Sequence, residues 1–298
     1  MSEHNITVTP SAYSYPLLIK QLLHSALTIA PDQEIVYHTL RYTYRDFYRR
    51  LGRLANALSA LGVGPGQTVA VMDWDTHRYL ECFFAVPMMG AVLQTVNVRL
   101  APEQILYTLN HAQADVLLVN AEFAPVLSMM RDQLTTVKKF ILLADEPDSG
   151  VFNIPYAGEY EALLAASSSH FDFPELDENT RATTFYTTGT TGLPKGVYFS
   201  HRQLVLHTLA VGTALCAATG QNLHRHDVYM PITPMFHVHA WGLPYVATLL
   251  GIKQVYPGRY LADHLLHLIE QEHVTFSQCV PTILHMLLKN LYCQQNRV

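Results

Sequence analysis

From Tyr186 to Gly196 the sequence reads Tyr-Thr-Thr-Gly-Thr-Thr-Gly-Leu-Pro-Lys-Gly. This stretch follows a short β-type run, Ala182–Thr184. Glycines let backbone N–H groups turn inward, and such groups form concave sites that bind anions. Threonine hydroxyls can donate to phosphate oxygens or coordinate Mg²⁺, and the single lysine, Lys195, adds a mobile positive charge. The stretch therefore predicts a loop that holds the phosphate tail of a nucleotide triphosphate.

Two common phosphate-binding patterns do not fit this stretch. A Walker loop has Gly directly before its Lys and Ser or Thr after it, whereas here Pro194 precedes Lys195 and Gly196 follows it. The dinucleotide fingerprint Gly-x-Gly-x-x-Gly is also absent from the sequence. Any four or five of these residues would fit a surface turn, but the whole stretch favours phosphate binding.

A second candidate segment, Pro231–Tyr245, follows the predicted strand Val228–Met230. In α/β sheets ligands bind at the C-terminal ends of parallel strands. Phe236 and Trp241 would form an apolar wall and His237 a polar tip, which suits an acyl chain that ends in a carboxylate. In the alternative interpretation the two aromatic side chains fill a core and His237 is a hydrogen-bonded core histidine.

Strands and amphipathic helices alternate along the chain. Apolar strands such as Thr68–Met72, separated by helices, favour largely parallel sheets covered on both faces. We expect an α/β fold of layered sheets with two subdomains, residues 1–178 and 179–298. Asp145–Gly158 is predicted to be a loop, and Ala240–Leu250 a helix.

Two helix starts carry capping boxes. Thr43 is followed three residues later by Asp46, and Ser200 is followed by Gln203. In this pattern the first side chain accepts from a free backbone N–H and the second returns the contact. We therefore expect helices to begin at these two positions.

Composition restricts the class of protein. Apolar residues make up 49% and charged residues 14% of the chain, the net charge is −5, and no basic stripe is present, which excludes nucleic acid as the expected partner. The longest apolar run, Cys82–Leu93, contains Pro87 and Gly90 and is shorter than the ~18 residues of a membrane span. Four scattered cysteines without Cys-x-x-Cys, and no secretory signal at the start, favour a cytoplasmic location.

Tyr186–Gly196 with Val197 resembles the phosphate-loop signature of the adenylate-forming superfamily, which includes acyl-CoA synthetases, luciferases and the adenylation domains of peptide synthetases. The continuation Tyr198–Arg202, then Pro234–Val238 and Trp241–Tyr245, is most similar to fatty-acid–CoA ligases. The resemblance extends over all 298 residues and matches the front part of such an enzyme.

The resemblance implies roles for individual residues. Thr187 would help to hold Mg²⁺, and Lys195 would contact the phosphates of ATP. His237 would lie near the reacting carboxyl, while Val238 and Trp241 would border the acyl channel and the nucleotide. The fatty acid would contact Phe236, His237 and Trp241, and the β- and γ-phosphates would be held by the other loop residues, Thr188, Gly189, Thr190, Thr191 and Gly192.

The resemblance also implies what lies outside these residues. Family members normally carry, further on, an aromatic-Gly-x-Thr-Glu segment, a Thr-Gly-Asp, and a small C-terminal domain with a catalytic lysine, and none occurs in residues 1–298. We therefore expect the N-terminal domain of an ATP-, Mg²⁺- and CoA-dependent ligase with its C-terminal domain absent. Such a piece would have negligible turnover by itself, and a homodimer is compatible with the sequence.

Three alternatives stay open. One is another acid-activating enzyme, specific for an aryl acid or an amino acid. Another is a truncated, non-catalytic nucleotide-binding module. The third is a metal-binding protein, because three histidine pairs, at 224 and 226, 237 and 239, and 264 and 267, could each give two ligands; no pair comes with a nearby Cys or a His-Glu-x-x-His pattern.

Overall fold

The computed structural model describes residues 9–146, 153–188, 192–220 and 222–295. Strands and helices alternate along most of this length. The strands are β1 Glu34–Tyr37, β2 Leu40–Thr43, β3 Thr68–Met72, β4 Val92–Thr95, β5 Ala114–Asn120, β6 Lys139–Leu143, β7 Tyr156–Glu159, β8 Arg181–Thr187, β9 Lys195–Ser200, β10 Val228–Ile232, β11 Lys253–Tyr256 and β12 Phe276–Cys279. The helices are α1 Ile19–Ile29, α2 Tyr44–Ala60, α3 His77–Met88, α4 Pro102–His111, α5 Ala124–Met130, α6 Tyr160–Ala165, α7 His201–Cys216, α8 Leu243–Leu250, α9 Ala262–Gln271 and α10 Pro281–Gln295.

These strands form two sheets. The larger has the order β7-β6-β5-β3-β4-β8-β9 and the smaller has the order β12-β10-β11-β1-β2. Neighbouring strands are parallel throughout, apart from one antiparallel hairpin at an edge of each sheet, β8–β9 and β1–β2. The predicted α/β fold with largely parallel sheets is therefore confirmed.

Each sheet contains strands from both ends of the chain. Val36 in β1 pairs with Val255 in β11, so an early hairpin completes the smaller sheet. Conversely, β8 pairs with β4 through Leu93 and Thr183, so a late hairpin completes the larger sheet. The predicted division between residues 178 and 179 is therefore not a division between the two sheets.

Helix α3 lies between the sheets. All twelve of its residues are buried, and it contacts β3, β4 and β8 of the larger sheet and β1 of the smaller. Most of its residues are apolar, as is typical of a helix inside a large core, and His77, Arg78 and Glu81 are buried with them. Among the described residues, no helix is both long enough and apolar enough to cross a bilayer.

One buried carboxylate in α3 joins three parts of the fold. Glu81 is completely buried and accepts from Arg50 Nε in α2 at 2.6 Å. It also accepts from the hydroxyls of Tyr42 and Tyr160, at 3.0 and 2.6 Å. Arg50 contacts a second carboxylate, that of Glu161, at 2.9 Å. Charge and hydrogen bonds together compensate for removing these groups from water.

The predicted helix starts are confirmed. Thr43 and Asp46 form a capping box at the start of α2, and Ser200 and Gln203 form another at the start of α7.

The prediction that Asp145–Gly158 is a loop is wrong for the C-terminal part of that range. Residues 156–159 form the edge strand β7, and helix α6 follows directly. Within the described part of the chain this strand pairs only with β6, and three of its four residues are half-buried, so its sequence lacks the apolar alternation of a strand with one buried face. Helix α6 is capped by Glu159, whose side chain accepts from Ala162 N. Pairing with β6, rather than the local sequence, therefore makes residues 156–159 an edge strand.

Candidate functional site

The stretch that predicts a phosphate loop connects the two strands of the edge hairpin β8–β9. In the antiparallel register Thr187 lies opposite Lys195, and Phe185 lies opposite Val197. Directly opposite residues share a face of the sheet, and so do residues two positions apart. The side chains of Thr187 and Lys195 therefore lie on the same face as that of Phe185.

Part of the loop itself can be described. Gly189, Thr190 and Thr191 lie outside the described residues. Thr188 and Lys195 are exposed, and Thr187 is half-buried. Gly192 has a φ of +99°, and a Cβ added there would meet no atom of the described residues within 4 Å. Glycine adopts this backbone conformation readily, whereas residues with a Cβ rarely do.

The second candidate segment passes over the C-terminal edge of the larger sheet. The Thr95 hydroxyl, at the end of β4, donates to the carbonyl oxygen of Phe236 at 3.2 Å. Just beyond the end of β3, Asp75 accepts from Met235 N at 2.9 Å. The segment also directly follows β10 of the smaller sheet. It therefore lies where the C-terminal ends of parallel strands from both sheets meet, the usual ligand position in such folds.

Asp75 is a positioning residue that the sequence analysis missed. It is buried, and besides Met235 N it accepts from the Tyr260 hydroxyl. Burial raises its pKa to about 7, against the lowering effect of these hydrogen bonds. The signal was available, because the acidic residues Asp73 and Asp75 directly follow a buried parallel strand.

The backbone that follows His237 is left-handed. Val238, His239, Ala240 and Trp241 have φ values of 48°, 55°, 49° and 56°, and Gly242 has 73°. The helix predicted from Ala240 is therefore wrong at its start, since α8 begins only at Leu243. Left-handed residues with a Cβ cost roughly 1–2 kcal/mol each, so surrounding packing must hold this turn. Strain of this kind is concentrated at functional sites.

Three contacts hold the left-handed turn. His207 in α7 has its Nε2 3.0 Å from the carbonyl oxygen of Trp241. Ala240 is fully buried, and its N–H donates to the carbonyl oxygen of His237 at 3.0 Å. The His239 ring packs against Phe185 in β8, with ring centroids 5.4 Å apart. The turn thus contacts the same hairpin face that carries Thr187 and Lys195.

A cavity of about 280 Å³ lies between this turn and α7. Val238, His239 and Trp241 line one side of it, and Leu204 and His207 line the other. Trp241 is 49% exposed, so it borders the opening instead of filling the core. The cavity has the mostly apolar walls and few polar groups that are typical of small-molecule sites.

Two other predicted residues lie elsewhere. Phe236 is buried in the main core, with the Arg99 guanidinium 6.0 Å from its ring centroid. His237 is exposed and its N–H donates to the carbonyl oxygen of Pro234 at 2.9 Å. Of the two histidines in this segment, the buried one is His239, and burial lowers its pKa to about 3. The predicted roles of Phe236 and His237 stay predictions.

The histidine pairs do not assemble further within the described ranges. The rings of His224 and His226 have centroids 6.1 Å apart, and His224 Nδ1 lies 3.0 Å from an oxygen of Asp227. In the part of the chain that the structure describes, no group of three or more His, Cys, Asp or Glu could hold a metal ion.

Gly242 offers a test of the turn. In Gly242→Ala the new Cβ would lie 2.8 Å from Cδ2 of His207, in a left-handed conformation that alanine disfavours. We expect the free energy of unfolding to fall by about 2 kcal/mol, measured by urea denaturation. The control is Gly62→Ala, where φ is +92° but no atom lies within 4 Å. An equal loss in both variants would contradict a specific role for the His207 contact.

The chain is similar to known proteins in both sequence and fold. It belongs to the family of AMP-binding enzymes, whose family model matches residues 24–297.

Three curated proteins are similar to this chain over most of its length. The chain is 45% identical over 244 residues to a long-chain-fatty-acid–CoA ligase of Thermus thermophilus, covering 82% of this chain and 43% of that protein. It is 39% identical over 279 residues to a 3-methylmercaptopropionyl-CoA ligase of Ruegeria lacuscaerulensis, covering 92% and 51%. It is 38% identical over 278 residues to a medium-chain-fatty-acid–CoA ligase of Ectopseudomonas oleovorans, covering 91% and 50%. The chain thus spans about half the length of the curated relatives it matches.

Solved structures share the fold. A long-chain-fatty-acid–CoA ligase from Archaeoglobus fulgidus superposes with a TM-score of 0.79 at 22% identity, covering 97% of this chain and 57% of that one. A fatty acyl CoA synthetase of Mycobacterium tuberculosis gives a TM-score of 0.76 at 25% identity, covering 91% and 51%. The predicted likeness to the N-terminal domain of adenylate-forming enzymes is therefore confirmed.

Proposed function

We propose that this chain supplies the phosphate loop and the acid-binding cavity of an acyl-CoA ligase whose substrate is a fatty acid. The observation that carries the proposal is the packing of His239 against the β8–β9 hairpin. It brings the hairpin face with Thr187 and Lys195 into contact with the turn that lines the cavity. Family membership and the names of the relatives support the same reaction.

The first half-reaction joins two anions. A carboxylate oxygen attacks the α-phosphorus of ATP. The bond between the α-phosphorus and the oxygen that links it to the β-phosphate breaks, and pyrophosphate leaves. The protein must offset the charge on the triphosphate and align it with the carboxylate. In our proposal the exposed Lys195 and the backbone around Gly192 hold the phosphates, and the cavity beside Trp241 holds the acyl chain.

The second half-reaction transfers the acyl group. The sulfur of CoA attacks the carbonyl carbon of the acyl-adenylate, AMP leaves, and the thiol loses its proton. This part of the proposal rests on the relatives' names, since the chain spans about half of their length.

Magnesium fits the residues at the end of β8. Mg²⁺ prefers oxygen ligands, and the half-buried Thr187 could offer a hydroxyl at the end of the strand. Bound to the triphosphate, the ion would neutralise part of its charge. Its use here, a homodimer and a cytoplasmic location stay predictions.

ATP–pyrophosphate exchange tests the proposal. If the reading frame gives a longer product, we expect that product to catalyse exchange that depends on an added fatty acid. We expect negligible exchange from the 298-residue chain. Exchange that requires an aryl acid or an amino acid instead would point to another acid-activating enzyme. Exchange with no acid at all would argue against the proposal.

ATP binding can be measured on the 298-residue chain itself. We expect it to bind ATP with Mg²⁺, measured by calorimetry, even where turnover is negligible. Strong exchange by this chain would contradict the expected inactivity. Natural termination of the reading frame at residue 298, together with ATP binding and no exchange, would favour a non-catalytic nucleotide-binding module.

A further inference from the structure

His239 is a buried histidine whose ring nitrogens have no hydrogen-bond partner among the described residues. The residue is 1% exposed, and neither Nδ1 nor Nε2 makes such a bond there. Its ring is surrounded by Phe83, Phe185 and Phe199, with centroids 5.6, 5.4 and 6.0 Å away. Buried polar groups in proteins are almost always paired, so this ring calls for an explanation.

The three phenylalanine rings can satisfy only part of the hydrogen-bonding capacity of the His239 ring. The planes of His239 and Phe185 are at 90°, which allows an N–H to point at an aromatic face. Such a contact is weak, and it gives nothing to the nitrogen that carries a lone pair. At least one polar atom of His239 therefore still lacks a partner within the described part of the chain.

The unpaired ring borders the cavity already described. His239 is one of the residues that line the space of about 280 Å³, together with Leu204, Val238 and Trp241. Among the described residues, no Asp, Glu, Lys or Arg lines it. A ligand in this space therefore meets apolar walls and the imidazole of His239, with His207 and Gln203 as the other polar lining side chains.

The chemistry of the imidazole restricts its ligand. Burial lowers the pKa of His239 to about 3, so the ring is neutral at ordinary pH and has one N–H donor and one acceptor nitrogen. It offers no charge to balance a second carboxylate or an ammonium on the ligand. A hydroxyl, which both donates and accepts, complements it best.

We propose that His239 determines specificity by forming a hydrogen bond with a hydroxyl group on the chain of the acid substrate. The enzyme would then prefer hydroxylated acids to unsubstituted acids of the same length. This inference rests on the proposed function, because it takes the cavity to be the acyl site.

Matched pairs of acids test the inference. We would measure the affinity of the 298-residue chain, with ATP and Mg²⁺ present, for alkanoic acids and for acids of equal length with a hydroxyl at successive carbons. One hydroxyl position is expected to bind about tenfold more tightly than its unsubstituted partner. In His239→Phe this preference should disappear, so that the two acids of a matched pair bind with equal affinity.

The ring nitrogen signals of His239 in the wild-type chain test the inference even if His239→Phe does not fold. In the wild-type chain labelled with ¹⁵N-histidine, the hydroxylated acid should shift the ring nitrogen signals of His239, and the alkanoic acid should shift them much less. The exposed His226 is the internal control and should not respond to either acid.

The outcomes separate this inference from the proposed function. Binding of both acids with equal affinity, or a preference that persists in His239→Phe, would overturn the role of His239 alone. If neither acid binds and no longer product shows acid-dependent exchange, the proposed function fails and this inference fails with it.

Discussion

Glu81→Gln is expected to lower the free energy of unfolding by about 3 kcal/mol. The carboxylate is completely buried and accepts from Arg50, Tyr42 and Tyr160. Although burial alone would lower the pKa of Arg50, the Glu81 carboxylate keeps it above its ordinary value. The amide keeps the shape but removes the charge, and among the described residues the partly exposed Glu161 is then the carboxylate left to pair with Arg50.

Chemical denaturation with a matched control measures this effect. Glu175→Gln makes the same change in an exposed ion pair, where Glu175 contacts Lys20 at 2.7 Å and is 72% exposed. We expect no measurable loss there, because solvent screens the pair. The double variant Arg50→Met with Glu81→Leu should recover only part of the stability, because it removes the buried charge but leaves the Tyr42 and Tyr160 hydroxyls without their acceptor. Equal stability of the two glutamine variants would contradict the importance of the buried network.

Thr187→Val is expected to reduce ATP–pyrophosphate exchange by about 100-fold in the catalytically competent protein. Thr187 is the last residue of β8, half-buried and directly opposite Lys195. Valine matches its size but cannot donate to phosphate or coordinate Mg²⁺. The affinity for ATP in the presence of Mg²⁺ should fall as well, and calorimetry on the 298-residue chain can measure this separately.

Thr183→Val is the matched control for this prediction. Thr183 lies on the same strand and the same face as Thr187, but its hydroxyl is buried without a hydrogen-bond partner among the described residues. Replacing it with a methyl group should leave exchange unchanged and cost no stability. Similar losses of exchange in both variants would mean that β8 responds to any change in its packing, and Thr187 would have no special role.

The sequence predicts the local features of this protein well. Capping boxes at Thr43 and Ser200 depend on residues only three positions apart, and both are present. The connection between β8 and β9 was also predictable, because glycine, proline and threonine restrict a loop by their own chemistry. Features of this kind need no information from distant parts of the chain.

The features that the sequence did not predict depend on distant contacts. Strand β7 exists because β6 offers a free edge, and its own residues show no apolar alternation. The left-handed turn at Val238–Gly242 places side chains in a conformation that local preferences oppose, so packing against Phe185 and His207 must stabilise it. In the sequence His239 is one member of a histidine pair, and its burial could not be read from there.

The pairing of β1 with β11 has a consequence for biosynthesis. Residues 34–37 leave the ribosome early, yet the strand that covers one edge of β1 contains residue 255. At typical translation rates the nascent chain waits roughly 10–40 s for that partner. Meanwhile β1 presents a bare edge to other nascent chains, a condition that favours aggregation. Chaperone dependence during translation is therefore expected to be concentrated on this early hairpin.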